Sequence, residues 1–291
     1  MSTDLISIRN KSLKLQTRDE CTEIIKLIED HPKATSICLC GNSLGLGACK
    51  LIGKALQSNT TLIEADFSDI FTGKLSEEIP YSIDILMQSL KNKPNFTNLI
   101  LSDNAFGFTG IKPIIDFITE NTTLRVLNIN DTGLCQRSGI MIAYGLHGIP
   151  LEQLIIGRNR LEDLGAKALA VAIEEMKTLT HISLSCNGIT PDGMIPLIQA
   201  FIKNPNLETI DIYDNNVGSK GAPFLVQSLD SLKCLKKINF GDCLIDAIGS
   251  LQIVEKLKDF TIIEELDLSF NNLTDHAIPH LLTLIEHNPL I

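Results

Sequence analysis

The stretch Ile182-Ser-Leu-Ser-Cys-Asn187-Gly-Ile189 contains a pattern that recurs along the chain. The pattern is an aliphatic residue, any residue, a second aliphatic residue, two residues, Asn or Cys, one residue and an apolar residue. Further copies begin at the residues Ile37, Leu99, Leu154, Ile210, Ile238 and Leu266. We call the Asn or Cys the ladder position. It falls at residues 159, 187, 215, 243 and 271, so these copies are 28 residues apart.

A composite pattern at a fixed period of this length predicts a repeat architecture. The alternating aliphatic residues predict a short parallel strand, and the ladder side chain is expected to bond backbone groups of the neighbouring turn. Segments such as Gly165–Met176 have helical periodicity. We therefore predict an α/β leucine-rich-repeat solenoid of the ribonuclease-inhibitor-like horseshoe type, with inner strands and outer helices. Residues 1–291 are expected to form one domain of about ten units. The first unit is a degenerate copy of the repeat at Ile6–Leu13.

Most repeats also place a glycine six residues after the ladder position, and we interpret these glycines as the points where the chain turns tightly into the helix. They are Gly110, Gly165, Gly193, Gly221 and Gly249.

Composition and charge restrict the classes of partner. The 291 residues have a formal net charge of −10, which argues against general nucleic-acid binding and favours a basic protein surface as partner. The eight cysteines follow neither a disulfide framework nor zinc spacing. The chain has no signal-peptide pattern and no run of about 18 apolar residues. We expect a cytoplasmic monomer that binds no membrane, metal or cofactor.

Two features go beyond what the repeat requires. The ladder positions at Ile70 and Asn104 are 34 residues apart, so this repeat has an insertion of six residues, which includes Lys74. The insertion is either a neutral loop or a loop that contacts a partner. The second feature is the residue before each ladder position, which we call the rim column. It consists of Gly41, Asp69, Asp103, Asp131, Arg158, Cys186, Asp214, Asp242 and Phe270.

Five of these nine rim residues are Asp. One interpretation is that Asp is common in turns and at helix N-caps. The other is an acidic rim that binds a basic partner and is interrupted by Arg158 and Arg160. Asp66, Asp211 and Asp267 add negative charge to the strand face.

Motifs for catalysis or metal binding are scarce. His276 and His280 are four residues apart on a predicted helix but have no third ligand beside them. The chain contains neither the GxxxxGK[ST] phosphate-binding motif nor a Ser-His-Asp or Cys-His pattern. These observations favour a binding protein rather than an enzyme.

Several sequence segments nevertheless resemble those of one known family, the GTPase-activating proteins of the small GTPase Ran. They are Asp66-Phe-Ser-Asp-Ile-Phe-Thr-Gly-Lys74-Leu-Ser-Glu-Glu-Ile-Pro80, Leu101-Ser-Asp-Asn-Ala-Phe-Gly107, Gly157-Arg-Asn-Arg-Leu-Glu162 and Asn239-Phe-Gly-Asp-Cys-Leu244. The resemblance implies that the chain binds a Ran-like GTPase in its GTP-bound form along one rim and stimulates GTP hydrolysis. In that family the activator is thought to order the GTPase's own glutamine rather than insert an arginine.

The resemblance assigns catalytic roles to two positions at which this chain departs from the family. Asp131 stands where the family has Asn, and Lys74 stands where it has Arg. Asn130 lies next to Asp131 and could replace the missing amide only if the loop shifted. The expected partner-binding residues are Asp66, Asp69, Asp103, Asn130, Arg158, Arg160, Asp214 and Asp242.

Three functions therefore remain open from the sequence. The first is a Ran GTPase-activating protein, and the second is a binding scaffold of the same ancestry with weak or no activating power. The third is an unrelated ribonuclease-inhibitor-like protein that blocks an enzyme.

Overall fold

The computed structural model describes residues 4–291. The chain divides into two compact units. The amino-terminal unit runs up to Leu134 and includes Ile149–Leu151, and the carboxy-terminal unit comprises Cys135–Gly148 and Glu152–Ile291. Strands and helices alternate in both units, which confirms the predicted α/β leucine-rich-repeat class. The expectation of a single domain stays a prediction.

The amino-terminal unit contains five strands of the repeat, two shorter strands and five helices among its described residues. They are β1 (Leu5–Ser7), β2 (Lys14–Leu15), α1 (Thr22–Asp30), β3 (Ser36–Cys38), β4 (Ser43–Leu44), α2 (Leu46–Leu56), β5 (Glu64–Asp66), α3 (Ile79–Leu90), β6 (Asn98–Ile100), α4 (Gly107–Gly110), α5 (Lys112–Glu120) and β7 (Val126–Asn128).

The carboxy-terminal unit repeats the same alternation. Its elements are α6 (Gln136–Gly145), β8 (Gln153–Ile155), α7 (Glu162–Met176), β9 (His181–Ser183), α8 (Pro191–Phe201), β10 (Thr209–Asp211), α9 (Gly218–Ser228), β11 (Lys237–Asn239), α10 (Ala247–Leu257), β12 (Glu265–Asp267), a 3-10 turn (Asp275–Ala277) and α11 (Ile278–His287).

Within each unit the long strands are parallel and pair in one register. In the amino-terminal unit Ile37 pairs with Ala65, and in the carboxy-terminal unit Ile182 pairs with Ile210. The central residue of most strands is buried while its two neighbours are half-buried. Because side chains alternate along a strand, the central aliphatic residues form the core against the helices, and the flanking residues form an open strand face.

The ladder asparagines bond the backbone of neighbouring turns, as the sequence predicts. The Nδ2 of Asn187 donates to the backbone oxygens of Leu184 at 2.8 Å and Ile156 at 3.1 Å. Its Oδ1 accepts the amide of Leu161 at 3.4 Å. One buried side chain thus satisfies groups in two consecutive repeats, which is why the position requires a side chain with both donors and an acceptor.

The glycines after the ladder position have a different role from the predicted one. Gly193 lies inside α8, and a Cβ on it would be 2.9 Å from the Cα of Asp163 on α7. Gly249 lies inside α10, and its Cβ would be 2.6 Å from the Cβ of Ala222 on α9. The tight-turn interpretation is therefore wrong for these two glycines, which permit close approach of adjacent helices.

Candidate functional site

The rim column has one backbone conformation throughout. All nine of its residues have positive φ, between 46° at Asp69 and 70° at Gly41. Asn10, at the same position of the first repeat, has a φ of 55°. Glycine adopts this left-handed region freely, and Asp and Asn tolerate it better than other side chains. The frequency of Asp in the column therefore follows at least partly from backbone conformation.

In the amino-terminal unit, three acidic residues of the column occupy consecutive repeats. The amide of Asp69 donates to the backbone oxygen of Ser102 at 3.0 Å, and that of Asp103 donates to the oxygen of Asn130 at 2.9 Å. Asp103 is exposed, whereas Asp69 and Asp131 are half-buried. Since neighbouring strands lie about 5 Å apart, the fold brings these three carboxylates into one row.

The insertion lies between the ladder position and the following helix. Helix α3 begins nine residues after Ile70, whereas α8 begins four residues after Asn187. The extra residues are held at their start, because the Thr72 hydroxyl donates to Asp69 Oδ1 and the Phe71 ring packs edge-on against Phe106. The insertion is therefore an anchored loop next to the rim column.

Lys74 is half-buried in this loop, and its amide donates to the backbone oxygen of Phe71 at 3.0 Å. Its charge acts on Glu20. The backbone amides of Thr17 and Gln16 lower the pKa of the Glu20 carboxyl, and the positive charge of Lys74 lowers it further. Lys74 thus lies close enough to an acidic group of its own chain to interact with it.

Asp66 has a structural role that the sequence did not reveal. Its side chain is only 6% exposed. One oxygen accepts hydrogen bonds from the Ser68 amide at 3.1 Å and hydroxyl at 2.5 Å, and the other accepts from Arg9 at 2.8 Å and from the Cys38 thiol at 3.3 Å. This carboxylate is paired with the Arg9 guanidinium and nearly enclosed, so little of its surface is accessible to a partner.

In the carboxy-terminal unit, the rim begins with two basic residues. Arg158 and Arg160 are both exposed and belong to one repeat. The amide of Arg158, whose φ is 54°, donates to the backbone oxygen of Ser185 at 2.7 Å. Both residues lie in the loop that follows β8, as the sequence spacing implies.

The acidic part of the same rim contains Asp214 and Asp242 on consecutive repeats. The amide of Asp214 donates to the backbone oxygen of Gly241 at 3.1 Å, and that of Asp242 donates to the oxygen of Ser269 at 2.8 Å. Burial raises the pKa of the Tyr213 hydroxyl, and the negative charges of Asp242 and Asp214 raise it further. The effect of these charges on Tyr213 indicates that the surface around it is negatively charged.

Sites for other kinds of ligand are scarce in the described part of the chain. All eight cysteines carry free thiols. No group of three or more His, Cys, Asp or Glu side chains within residues 4–291 could hold a metal ion. None of the helices in this range has the length and apolar character needed to cross a membrane.

Sequence reasoning missed two features of the site. The first is the left-handed conformation of the column, for which the series Asn10, Gly41, Asp69 was an available signal because these residue types favour positive φ. The second is the network that ties Asp66 to Arg9, a residue 57 positions away, for which the sequence contained no signal.

A family model described as leucine-rich repeat matches residues 149–170, 175–197, 203–225 and 261–276. Among solved structures, an internalin from Listeria monocytogenes has a TM-score of 0.51 and 16% sequence identity. It covers 97% of this chain and 85% of its own. This likeness concerns the fold alone and agrees with a leucine-rich-repeat architecture.

Curated relatives extend the comparison to sequence. Ran GTPase-activating protein 1 of Saccharomyces cerevisiae is 29% identical, across 94% of this chain and 72% of its own length. Ran GTPase-activating protein 1 of Xenopus laevis is 36% identical, across 63% of this chain and 34% of its own length. The chain therefore spans most of the yeast relative but only about a third of the frog relative.

Proposed function

We propose that this chain, a leucine-rich-repeat relative of the Ran GTPase-activating proteins, binds a Ran-like small GTPase in its GTP-bound form and stimulates GTP hydrolysis. The observation that carries the proposal is the similarity to the Ran GTPase-activating protein of Saccharomyces cerevisiae, which extends over 94% of this chain. The sequence resemblance includes more than the repeat consensus, since the insertion within Asp66–Pro80 lies outside the repeat pattern.

The chemistry of the rim column supports a protein partner. The column presents acidic side chains in both units on backbone held by interstrand hydrogen bonds. Fixed charges of this kind speed association with a basic surface and select its orientation. The rim is preorganised for docking, because most of its backbone amides are hydrogen-bonded to carbonyl oxygens of the following repeat.

We assign the chain the role of activator rather than enzyme. The bond that breaks belongs to nucleotide bound on the GTPase, so the reacting atoms lie on the partner. Positioning of the GTPase's own groups and exclusion of water are the contributions open to such a surface. We also propose that the chain acts as a monomer in the cytoplasm, without nucleic acid or membrane.

A second candidate is a scaffold of the same ancestry that binds the GTPase but activates it weakly. Asp131 favours this candidate, because a carboxylate offers acceptors and no donor at neutral pH. Its negative charge would also repel phosphate oxygens of the nucleotide. Lys74 retains a positive charge but lacks the planar fork of an arginine, which can form paired hydrogen bonds to one group.

Single-turnover GTP hydrolysis by a Ran-type GTPase, with and without this protein, tests the proposal. Activation that rises with the concentration of the protein and saturates supports the first function. Saturable binding to the GTP form with unchanged hydrolysis supports the scaffold. Absence of binding to both the GTP and GDP forms overturns both candidates.

A further inference from the structure

Phe270 is an unusual residue for its position. It belongs to the rim column, where its φ is 56°, and its side chain is 76% exposed. Most other members of the column are Gly or Asp, which suit this conformation. A bulky side chain there is strained, and exposure of the ring adds the cost of contact with water.

Leu244 also combines a positive φ with an exposed apolar side chain. It belongs to the preceding repeat, where it directly follows the ladder residue Cys243. Its φ is 53° and its side chain is 61% exposed. The corresponding residue two repeats earlier is Gly188, which has a φ of 65°. A leucine therefore occupies a position that another repeat of the same unit fills with the residue best suited to it.

Contacts within the chain stabilise these two side chains little. Among residues 4–291, the Phe270 ring takes part in no aromatic or cation–π contact. The two loops are tied together beneath them, because the Cys243 amide donates to Asn271 Oδ1 at 3.1 Å. These residues are strained and exposed, so they do not stabilise the fold. We take this as an indication that they contribute to binding a partner.

The surroundings indicate what kind of partner would provide that benefit. Asp242 precedes Leu244 by two residues and pairs through its backbone with Ser269, the neighbour of Phe270. Asp214 occupies the preceding repeat of the same column. An aromatic and an aliphatic residue beside carboxylates resemble the anchor of a protein interface, in which an apolar centre is flanked by polar groups.

We propose that Phe270 and Leu244 form an apolar anchor that inserts into a pocket on the GTPase, and that basic residues at the edge of that pocket pair with Asp242 and Asp214. This inference rests on the proposed function, because it takes the GTPase as occupant. It goes beyond that function by assigning binding energy to two residues outside the region of Asp131 and Lys74.

The test combines two measurements on the Phe270→Asn variant. Asn tolerates the left-handed conformation and has no ring, so we expect a melting temperature about 2–4 °C higher than that of the parent protein and a Kd for the GTP-loaded GTPase about 30-fold weaker. The Leu244→Gly variant should also weaken binding. Tyr144→Ala is the matched control, because Tyr144 is an aromatic residue with 79% exposure on α6 of the same unit.

Each result decides the proposal. Loss of affinity in Phe270→Asn and Leu244→Gly, with unchanged affinity in Tyr144→Ala, supports it. Unchanged affinity in the first two variants overturns it while leaving the proposed function intact. If the parent protein fails to bind the GTPase, both proposals fail. If sedimentation instead finds that the parent protein self-associates and Phe270→Asn does not, the occupant is a second copy and the proposal is wrong.

Discussion

The side chain of Asn128 holds the backbone of Asn130, whose amide nitrogen lies 3.1 Å from Asn128 Oδ1. The backbone oxygen of Asn130 in turn accepts the amide of Asp103 at 2.9 Å. A shift of this loop that moved the Asn130 side chain into the rim column would break both hydrogen bonds, at a cost of about 1 kcal/mol each. Asp131 is therefore the residue that the loop presents at this point of the rim.

We predict that Asp131→Asn increases GTPase activation. The substitution supplies an amide donor, removes a negative charge and suits the left-handed backbone, whose φ is 51°. An oriented donor in such a site contributes about 100- to 1000-fold in rate, whereas affinity should change less. Single-turnover hydrolysis with the parent protein and the variant side by side measures the effect.

Asp103→Asn is the matched control for this experiment, because it makes the same chemical change at the neighbouring column position, where φ is 59°. It should not increase hydrolysis. If the parent protein already activates as strongly as Asp131→Asn, the role assigned to Asp131 is wrong, and Asn130 or the Lys74 loop must be tested in its place.

Neutralising Asp214 and Asp242 together should slow association with the GTPase. The Asp214→Asn/Asp242→Asn variant keeps the left-handed conformation while removing two charges, so the on-rate should fall about threefold at low ionic strength. The difference should shrink with added salt, because exposed charges are screened within about 10 Å at 0.1 M. Stopped-flow association at several salt concentrations measures this, with Glu255→Gln/Glu286→Gln as the control on helices α10 and α11.

Asn187→Ala should destabilise the protein strongly. Asn187 is fully buried, and its removal leaves the backbone oxygens of Leu184 and Ile156 without this donor. These oxygens keep donors from Asn215 and Asn159, but the Leu161 amide loses its acceptor. The lost buried hydrogen bonds together cost about 2–4 kcal/mol. Urea denaturation should report this loss, and the exposed Asn272→Ala control should stay within about 0.5 kcal/mol of the parent protein. Equal losses in the two variants would contradict the ladder role.

Cys135 should react with alkylating reagents much faster than Cys49. Burial raises the pKa of Cys49 to about 12, so almost none of it is thiolate at neutral pH. Burial also acts to raise the pKa of Cys135, but hydrogen bonds from the Ser138 side chain and backbone outweigh it and lower the pKa. As pH rises, labelling of Cys135 should therefore reach its maximum at a lower pH than that of Cys49. Mass spectrometry of a timed iodoacetamide reaction measures both sites, and equal rates would refute the assignment.

The repeating features of this protein could be read from the sequence by itself. The 28-residue period predicted the strand–helix alternation, the ladder asparagines and the place of the insertion that contains Lys74. These predictions succeed because each repeat buries one face against the next, so the same residue types return at the same positions. The rim acids Asp214 and Asp242 were found in the same way.

Only the tertiary structure decided what individual members of those columns do. Ten residues from Asn10 to Phe270 share the left-handed conformation. In eight of them the backbone amide donates to a carbonyl oxygen of the following loop, which holds one loop on the next. Asp66 is enclosed because Arg9, far away in sequence, folds against it. Gly193 is required by the approach of α7 to α8 rather than by a turn. Local pattern cannot predict such features, since they arise from distances between segments that come together only when the repeats stack.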